Sequence, residues 1–189
     1  DLEIRGAGNL LGKEQHGHML SVGFDLYCKI LEDEVARLSR EEPEEPESLT
    51  VELDLNVEGH IPSEYIGEDI AKVEIYKRIA DLKKREELLS LIDEVTERFG
   101  PIPQAAENLF LLANIRVLGM NAQISRIRRE GANYVLSLRP GRYSLEQLQQ
   151  IRLKFKGKVS FSDEAIILKE ENKLYLLEHF LKEVGGLIH

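Results

Sequence analysis

The stretch that decides the fold is ISRIRREGANYVLSLR, residues 124–139, where the spacing of apolar residues changes from helical to strand-like. Residues 124–129 and 134–139 form its two arms, and the short run EGAN, residues 130–133, lies between them. Two strand-like runs that flank a short turn with glycine are typical of a β-hairpin. The stretch therefore predicts a pair of antiparallel strands from which the rest of a sheet can grow.

The residues that follow repeat this pattern. A second hairpin is predicted from residues 158–161 and 165–168. Between the hairpins, Ser144 and Gln147 have the spacing of a capping box that opens a helix. A closing helix is predicted to end at Gly185-Gly186, and its apolar face consists of Leu174, Leu177, Phe180, Leu181 and Val184.

The residues before the first hairpin predict one strand and three helices. Residues 51–57 alternate between apolar and polar side chains, which is the pattern of a strand with one buried face. Gly100-Pro101 is predicted to stop the second helix and Gly119 the third. The apolar positions that mark the three helices are Ile70, Val73, Tyr76, Ile79 and Ala80, then Leu88, Leu91, Ile92, Val95 and Phe99, and finally Leu109, Leu112, Ala113 and Val117.

These patterns together predict an α+β fold in which helices cover an antiparallel sheet built mainly from two hairpins. Residues 49–189 form this compact domain. Residues 41–48 contain two prolines and five glutamates and are predicted to be an acidic linker. Residues 1–40 are predicted to contain a glycine-rich motif followed by an amphipathic helical arm from about Met19.

Composition and charge narrow the possible functions. The net charge is −9, but residues 31–74 carry fifteen acidic against three basic side chains, whereas residues 116–158 carry ten basic against two acidic ones. A net acidic chain is a poor general nucleic-acid binder, because phosphate neutralisation supplies most non-specific affinity. The basic part is therefore expected to face an acidic partner or the acidic part of its own chain.

The remaining composition predicts neither a metal site nor a membrane span. Apolar runs stay well below the roughly 18 residues that a spanning helix requires. Cys28 is the one cysteine, which excludes an internal disulfide and favours a reducing, cytoplasmic location. Apart from the weak pair His16 and His18, the five histidines do not have metal-ligand spacing with Cys28 or with one another. We expect Asp1 to lie within a longer protein.

The first seventeen residues, DLEIRGAGNLLGKEQHG, contain four glycines and resemble a phosphate-binding loop only superficially. Such a loop needs four residues between its first glycine and the Gly-Lys pair, followed by Ser or Thr. Before Gly12-Lys13, Gly6 leaves five residues and Gly8 leaves three, and Glu14 occupies the hydroxyl position. The sequence therefore predicts no nucleotide site here.

The same stretch resembles the translocation motif of RecG-type double-stranded DNA translocases. The later runs Val22 to Tyr27, Tyr76-Lys77-Arg78-Ile79-Ala80 and Arg98-Phe99-Gly100 resemble the carboxy-terminal end of the bacterial transcription-repair coupling factor family, known as Mfd. RecG shares only the opening motif. The resemblance covers the whole chain, so the coupling factor family is the better match.

The resemblance implies a parent protein that is an ATP-dependent DNA translocase of helicase superfamily 2. Such a parent uses ATP and Mg²⁺ to move along double-stranded DNA, removes stalled RNA polymerase and recruits the excision-repair protein UvrA. The helicase lobes that bind ATP lie upstream in this family, so the resemblance implies no ATP site, cofactor or catalytic residue in this chain. The chain would couple the motor and mask the UvrA-binding module of the same protein.

Two groups of residues carry these implied roles. In the translocation motif, Arg5, Gly6, Gly8, Gly12 and Gln15 would contact the neighbouring lobe, because a guanidinium and an amide can bridge several backbone groups. Glu94 and Glu97 lie one helical turn apart, and by resemblance they would meet arginines of the UvrA-binding module. The alternative is that Glu94 and Glu97 are an ordinary pair of solvated surface acids without a binding role.

A second hypothesis is an accessory nucleic-acid-binding domain that uses the basic segment 126–158. Tyr134 and Tyr143 would then add faces on which bases could stack. The segment lacks the signature of a known nucleic-acid fold, and both hypotheses stay open at this point. Its basic side chains near the first hairpin are Arg126, Arg128, Arg129, Arg139 and Arg142.

Overall fold

The structure is a computed structural model that describes residues 50–162, 164–169 and 173–188. The predicted translocation motif and helical arm, residues 1–40, and the acidic linker, residues 41–48, lie outside the described residues. The described residues form five helices and one five-stranded sheet. The predicted α+β class is confirmed.

The elements follow one another in the predicted order. In chain order they are β1 (Glu52–Asp54), α1 (Asp69–Asp81), α2 (Arg85–Phe99), α3 (Gln104–Asn121), β2 (Ile124–Glu130), β3 (Asn133–Leu138), α4 (Leu145–Lys154), β4 (Val159–Ser162), β5 (Ala165–Lys169) and α5 (Leu174–Ile188).

The sheet has the strand order β1-β2-β3-β5-β4. The two predicted hairpins, β2–β3 and β4–β5, are antiparallel and are joined by antiparallel pairing of β3 with β5. At the edge, β1 runs parallel to β2, so the sheet is mixed rather than wholly antiparallel. A parallel neighbour needs a long crossover, and here the three helices α1 to α3 lie between the two strands in sequence.

The first strand is shorter than the predicted run of residues 51–57. Only three residues pair with β2, and Asn56 has a φ of 52°, a left-handed conformation that ends the extended backbone. Val51 and Leu55 are buried, whereas Leu53 is only partly buried. The alternating pattern thus identified the strand correctly and overestimated its length.

The described residues divide into two compact units, residues 57–113 and residues 50–56 together with 114–188. The first unit contains α1, α2 and the first part of α3. Its buried side chains come from all three helices and from the loop before α1, where the backbone N–H of Ile61 donates to the Tyr76 hydroxyl at 2.8 Å. This unit's largest fully buried side chains are Ile66, Ile79, Leu88, Leu91 and Leu109.

The second unit contains the sheet, the end of α3 and the helices α4 and α5. The cross-strand row that runs from β2 to β4 consists of Ile127, Leu136, Ile166 and Phe161, and the first three are wholly buried. Phe155, just after α4, packs against Phe180 of α5 with ring centroids 4.7 Å apart. One apolar face of the sheet therefore provides the core of this unit.

Some of the predicted helix ends are correct and others are wrong. Gly100 ends α2 with a φ of 89°, as predicted, and the predicted capping box at Ser144 and Gln147 is present in both directions. The predicted stop at Gly119 is wrong, because α3 continues to Asn121. A Cβ at residue 119 would lie 3.2 Å from the Val51 side chain, so this glycine allows close packing rather than a turn.

The prediction that Gly185-Gly186 ends the last helix is also wrong. Helix α5 continues through both glycines to Ile188. Gly185 is buried, and a Cβ there would meet the chain at Asn121 and Ala122 at 3.7 Å. A glycine inside a helix that packs closely against its neighbour cannot be distinguished from a stop signal by local sequence alone.

Candidate functional site: the exposed face of helix α2

Helix α2 carries both of the acids that the sequence predicts to form an interdomain contact. Its buried side chains are Leu88, Leu91 and Val95, which recur at steps of three and four and face the core of the first unit. The opposite face is exposed along its whole length. The apolar periodicity therefore fixes which side of the helix faces solvent.

The start of α2 is held by the side chain of Glu87. One of its oxygens, Oε2, accepts hydrogen bonds from the backbone N–H groups of Lys83 and Lys84 at 3.0 and 3.1 Å. These backbone donors lower the pKa of Glu87 below its ordinary value. An acid in the first turn also suits the positive end of the helix dipole.

The end of α2 is held by the run Arg98-Phe99-Gly100. The Tyr65 hydroxyl donates a hydrogen bond to the carbonyl oxygen of Gly100 at 2.7 Å, and the Tyr65 and Phe99 rings meet edge to face. The Arg98 guanidinium lies 4.9 Å from the centre of the Phe99 ring. The last turn of α2, which contains Glu97, is therefore tied to the loop before α1.

Glu94 forms a bidentate ion pair on the exposed surface of α2. Its two carboxylate oxygens accept from the two terminal nitrogens of Arg78 on α1, with distances of 2.7 and 2.8 Å. This fork-to-fork geometry lowers the pKa of Glu94 and raises the pKa of Arg78, mainly through the hydrogen bonds between them. Both side chains stay partly exposed, at 39% for Arg78 and 50% for Glu94.

Glu97 lies one turn farther along and behaves differently. Its side chain is exposed and makes no hydrogen bond or ion pair with any other residue in the part of the chain that the structure describes. Glu94 and Glu97 are thus both on the surface of α2, as predicted. However, Glu94 is turned towards Arg78, whereas Glu97 keeps its carboxylate available. Their role in an interdomain contact stays a prediction.

Two further acids on α2 were missed by the sequence reasoning. Glu86 and Asp93 are exposed, and their spacing from Glu97 of eleven and four residues places all three on one stripe of the helix. Asp93 and Glu97 form an i, i+4 pair, which is the signal that could have identified Asp93. Glu94 lies beside this stripe, on the side of Arg78.

The basic segment of the second unit is largely occupied by internal contacts. Arg126 pairs with Glu52 at 3.5 Å and Arg128 with Glu130 at 2.8 Å. Arg139 donates to the backbone oxygen of Thr50 at 2.7 Å. These contacts use three of the cations that the nucleic-acid hypothesis requires.

The two tyrosines of this segment do not present stacking faces. Tyr134 is a residue of β3 and is only 1% exposed, so its ring lies in the core. Tyr143 is partly buried, and its hydroxyl donates to the carbonyl oxygen of Ala122. Burial raises the pKa of both hydroxyl groups. The predicted stacking surface at Tyr134 is therefore wrong, because its ring is part of the core.

Within residues 50–162, 164–169 and 173–188, there is no group of three or more His, Cys, Asp or Glu side chains that could hold a metal ion. None of the helices in those ranges is long and apolar enough to cross a lipid bilayer.

Comparison with known proteins identifies the family. Residues 55–148 match the family model of the TRCF domain. The transcription-repair-coupling factor of Staphylococcus haemolyticus is 41% identical over 138 residues, which is 73% of this chain and 12% of the relative. The corresponding protein of Staphylococcus aureus is 40% identical over 131 residues, or 69% of this chain and 11% of the relative. The chain thus spans about an eighth of the length of these relatives.

A solved structure has the same fold. The crystal structure of the C-terminal domain of transcription-repair coupling factor matches with a TM-score of 0.64 at 19% sequence identity. The match covers 74% of this chain and 91% of that chain. The residues that the family model matches include α2. The chain therefore belongs to the transcription-repair coupling factor family.

Proposed function

We propose that this chain is the regulatory part of a coupling factor that acts in transcription-coupled DNA repair. In this proposal the exposed face of α2 contacts the UvrA-binding module of the same protein and masks it. UvrA then binds only when this contact opens. The observation that carries the proposal is the exposed carboxylate of Glu97 on a helix that is held at both ends and along one side.

The geometry of α2 suits such a contact. Its first turn is held by Glu87 and its last turn by Tyr65 and Phe99, so its outer face is presented by a rigid element. Exposed carboxylates on this face complement arginines, which bind them through a planar fork of donors. A contact of this kind biases a two-state equilibrium, because it is made in the closed state and lost in the open one.

The proposal also includes a motor function for the longer protein. We place the translocation motif, with Arg5, Gly6, Gly8, Gly12 and Gln15, beside helicase lobes that bind ATP and Mg²⁺. In this role Arg5 and Gln15 couple ATP hydrolysis to movement along double-stranded DNA and thus to removal of stalled RNA polymerase. Arg5→Ala and Gln15→Ala in the full-length protein should keep ATP hydrolysis and lose displacement of a DNA roadblock. Normal displacement by both variants contradicts the coupling role.

The masking role is tested by reversing the charge of both acids. Glu94→Lys/Glu97→Lys in the full-length protein should raise the affinity for UvrA, because two cations now face the arginines of the masked module. The affinity of UvrA is measured by titration calorimetry. Glu146→Lys/Glu164→Lys is the matched control, since it makes the same change in net charge at two exposed sites of the second unit.

The two double variants separate an effect of the α2 surface on the affinity for UvrA from a general effect of net charge. If both raise the affinity equally, the effect comes from net charge and not from α2. If the variant on α2 leaves the affinity unchanged while its melting temperature stays normal, Glu94 and Glu97 do not form the mask.

The accessory nucleic-acid role of segment 126–158 stays a prediction that the internal contacts of Arg126, Arg128 and Arg139 do not favour. A mobility-shift assay of the chain with duplex DNA at low and high salt tests it directly. Tight binding that weakens steeply with salt would favour this role, because phosphate contacts release counterions.

A further inference from the structure

The ion pair between Arg78 and Glu94 has a consequence for any cation that approaches α2. Each carboxylate oxygen of Glu94 already accepts one hydrogen bond from the Arg78 guanidinium, at 2.7 and 2.8 Å. This is the bidentate geometry in which an arginine binds a carboxylate best. A second guanidinium can therefore meet Glu94 only through the outer lone pairs, or after Arg78 has moved away.

The charges around Glu94 add to this restriction. Arg98, one turn later on α2, adds a second positive charge near the carboxylate, and both cations contribute to its lowered pKa. An approaching arginine is repelled by these cations as it nears Glu94. The side chain of Glu97 makes no hydrogen bond or ion pair with another residue of the described ranges, so no comparable competitor acts there.

We propose that Arg78 competes with the masking module for Glu94 and thereby weakens the closed state of the protein. This inference rests on the proposed function, in which the exposed face of α2 contacts an arginine-bearing module. Glu97 then provides the main anchor of the closed state. Arg78 keeps that state reversible, because closing has to disrupt or share an existing ion pair.

The partial exposure of the pair makes this competition possible. The side chains of Arg78 and Glu94 are 39% and 50% exposed, so an incoming group can reach the carboxylate from solvent. Surface ion pairs are weak, and displacing one changes a binding equilibrium by about two- to fivefold. A change of this size is enough to adjust a masking equilibrium without abolishing either state.

The test is Arg78→Gln in the full-length protein, with the affinity for UvrA measured by titration calorimetry. Glutamine keeps much of the aliphatic chain and removes the charged fork. Glu94 then becomes available to the masking module, so UvrA should bind about two- to fivefold more weakly than to the unchanged protein. Arg152→Gln on α4 is the matched control, because it removes an exposed arginine in the second unit and should leave the affinity unchanged.

A double variant shows whether Arg78 acts through Glu94. Arg78→Gln/Glu94→Gln should bind UvrA with the same affinity as Glu94→Gln alone, because Arg78 has nothing left to compete for. Arg78→Lys keeps the charge and loses the bidentate fork, so it should give an intermediate affinity. Melting temperatures of all variants identify any loss of affinity that comes from unfolding.

The outcomes separate this inference from the proposed function. If Glu94→Lys/Glu97→Lys raises the affinity for UvrA and Arg78→Gln does not lower it, masking stands and the competition is refuted. If Arg78→Gln raises the affinity, Arg78 orients Glu94 for the contact instead of competing for it. If the charge reversal on α2 has no effect, the proposed function fails and the inference fails with it.

Discussion

Gly59 offers the sharpest test of the structure, because it has no room for a side chain. A Cβ at this position would lie 2.4 Å from the backbone nitrogen of Leu109, 2.6 Å from its Cα and 2.8 Å from the carbonyl carbon of Asn108. All three atoms belong to the backbone of α3, which cannot rotate out of the way. In Gly59→Ala the loop before α1 must therefore move away from the helix.

The loss of stability in Gly59→Ala follows from the contacts that this movement breaks. Non-bonded carbon atoms are normally about 3.5–4.0 Å apart, so the loop has to shift by about 1 Å. Two hydrogen bonds of the loop depend on the present distance, from His60 N to Ala105 O and from the Asn108 side chain to Glu58 O, both at 3.0 Å. Weakening two hydrogen bonds and straining a packed contact together destabilise the unit by about 3 kcal/mol.

The assay is thermal unfolding of the 189-residue chain, followed by circular dichroism. About 3 kcal/mol corresponds to a fall in melting temperature of about 6–12 °C for a chain of this size. Gly67→Ala is the matched control, because its Cβ would meet only the Ser63 carbonyl oxygen at an ordinary 3.6 Å. A melting temperature of Gly59→Ala within about 2 °C of the unchanged chain would refute the close contact with α3.

Three further changes test other parts of the fold. Gly186→Ala should stabilise the chain by about 0.5–1 kcal/mol in urea unfolding, because residue 186 lies inside α5 with open space around it, and a decrease would contradict the helix there. Ser144→Ala should cost about 1 kcal/mol in the same assay by removing the cap of α4, whereas an unchanged midpoint would show that the capping box contributes nothing. Glu87 has a lowered pKa in the folded chain, so the stability it contributes is present above its ordinary pKa and is lost as the pH falls through the folded value. Glu87→Gln should therefore make the melting temperature fall less steeply between about pH 5 and pH 3, and an equally steep profile would contradict the bonds to Lys83 and Lys84.

The features that the sequence predicted correctly depend on local patterns. The two hairpins follow from strand-like runs around short turns, and Gly131 takes a φ of 60° in the first of them. The capping box at Ser144 needs only the three residues that follow it. The apolar face of α2 follows from residues three and four apart along one helix. Each of these features depends on residues that are close together in the sequence.

The features that the sequence missed depend on residues far apart in the chain. The parallel pairing of β1 with β2 joins Leu53 to Ile127, and the alternating pattern of β1 is compatible with either strand direction. Gly119 looked like a helix stop because its contact with Val51 cannot be read from its neighbours. Burial of the Tyr134 ring likewise depends on which face of the sheet packs against helices.

In the candidate site, too, nearby residues determine what the sequence predicted correctly, and distant residues determine what it missed. Sequence periodicity placed Glu94 and Glu97 correctly on the exposed side of α2, since that side is defined by the buried Leu88, Leu91 and Val95. It could not reveal that Glu94 already binds Arg78, because the partner lies sixteen residues away on another helix. The two acids looked equivalent in sequence, and the ion pair makes them different.

The ion pair between Arg78 and Glu94 links α1 and α2, the helices that carry two of the runs on which the family resemblance rests. Arg78 belongs to the run Tyr76-Lys77-Arg78-Ile79-Ala80 on α1, and its partner Glu94 lies one turn before the run Arg98-Phe99-Gly100 on α2. Most other residues of the two runs are structural, because Ile79 and Ala80 are buried and Gly100 ends the helix. A surface ion pair between α1 and α2 adds little to stability. Its position beside the exposed acids of α2 fits the proposed competition for Glu94 better than a role in folding.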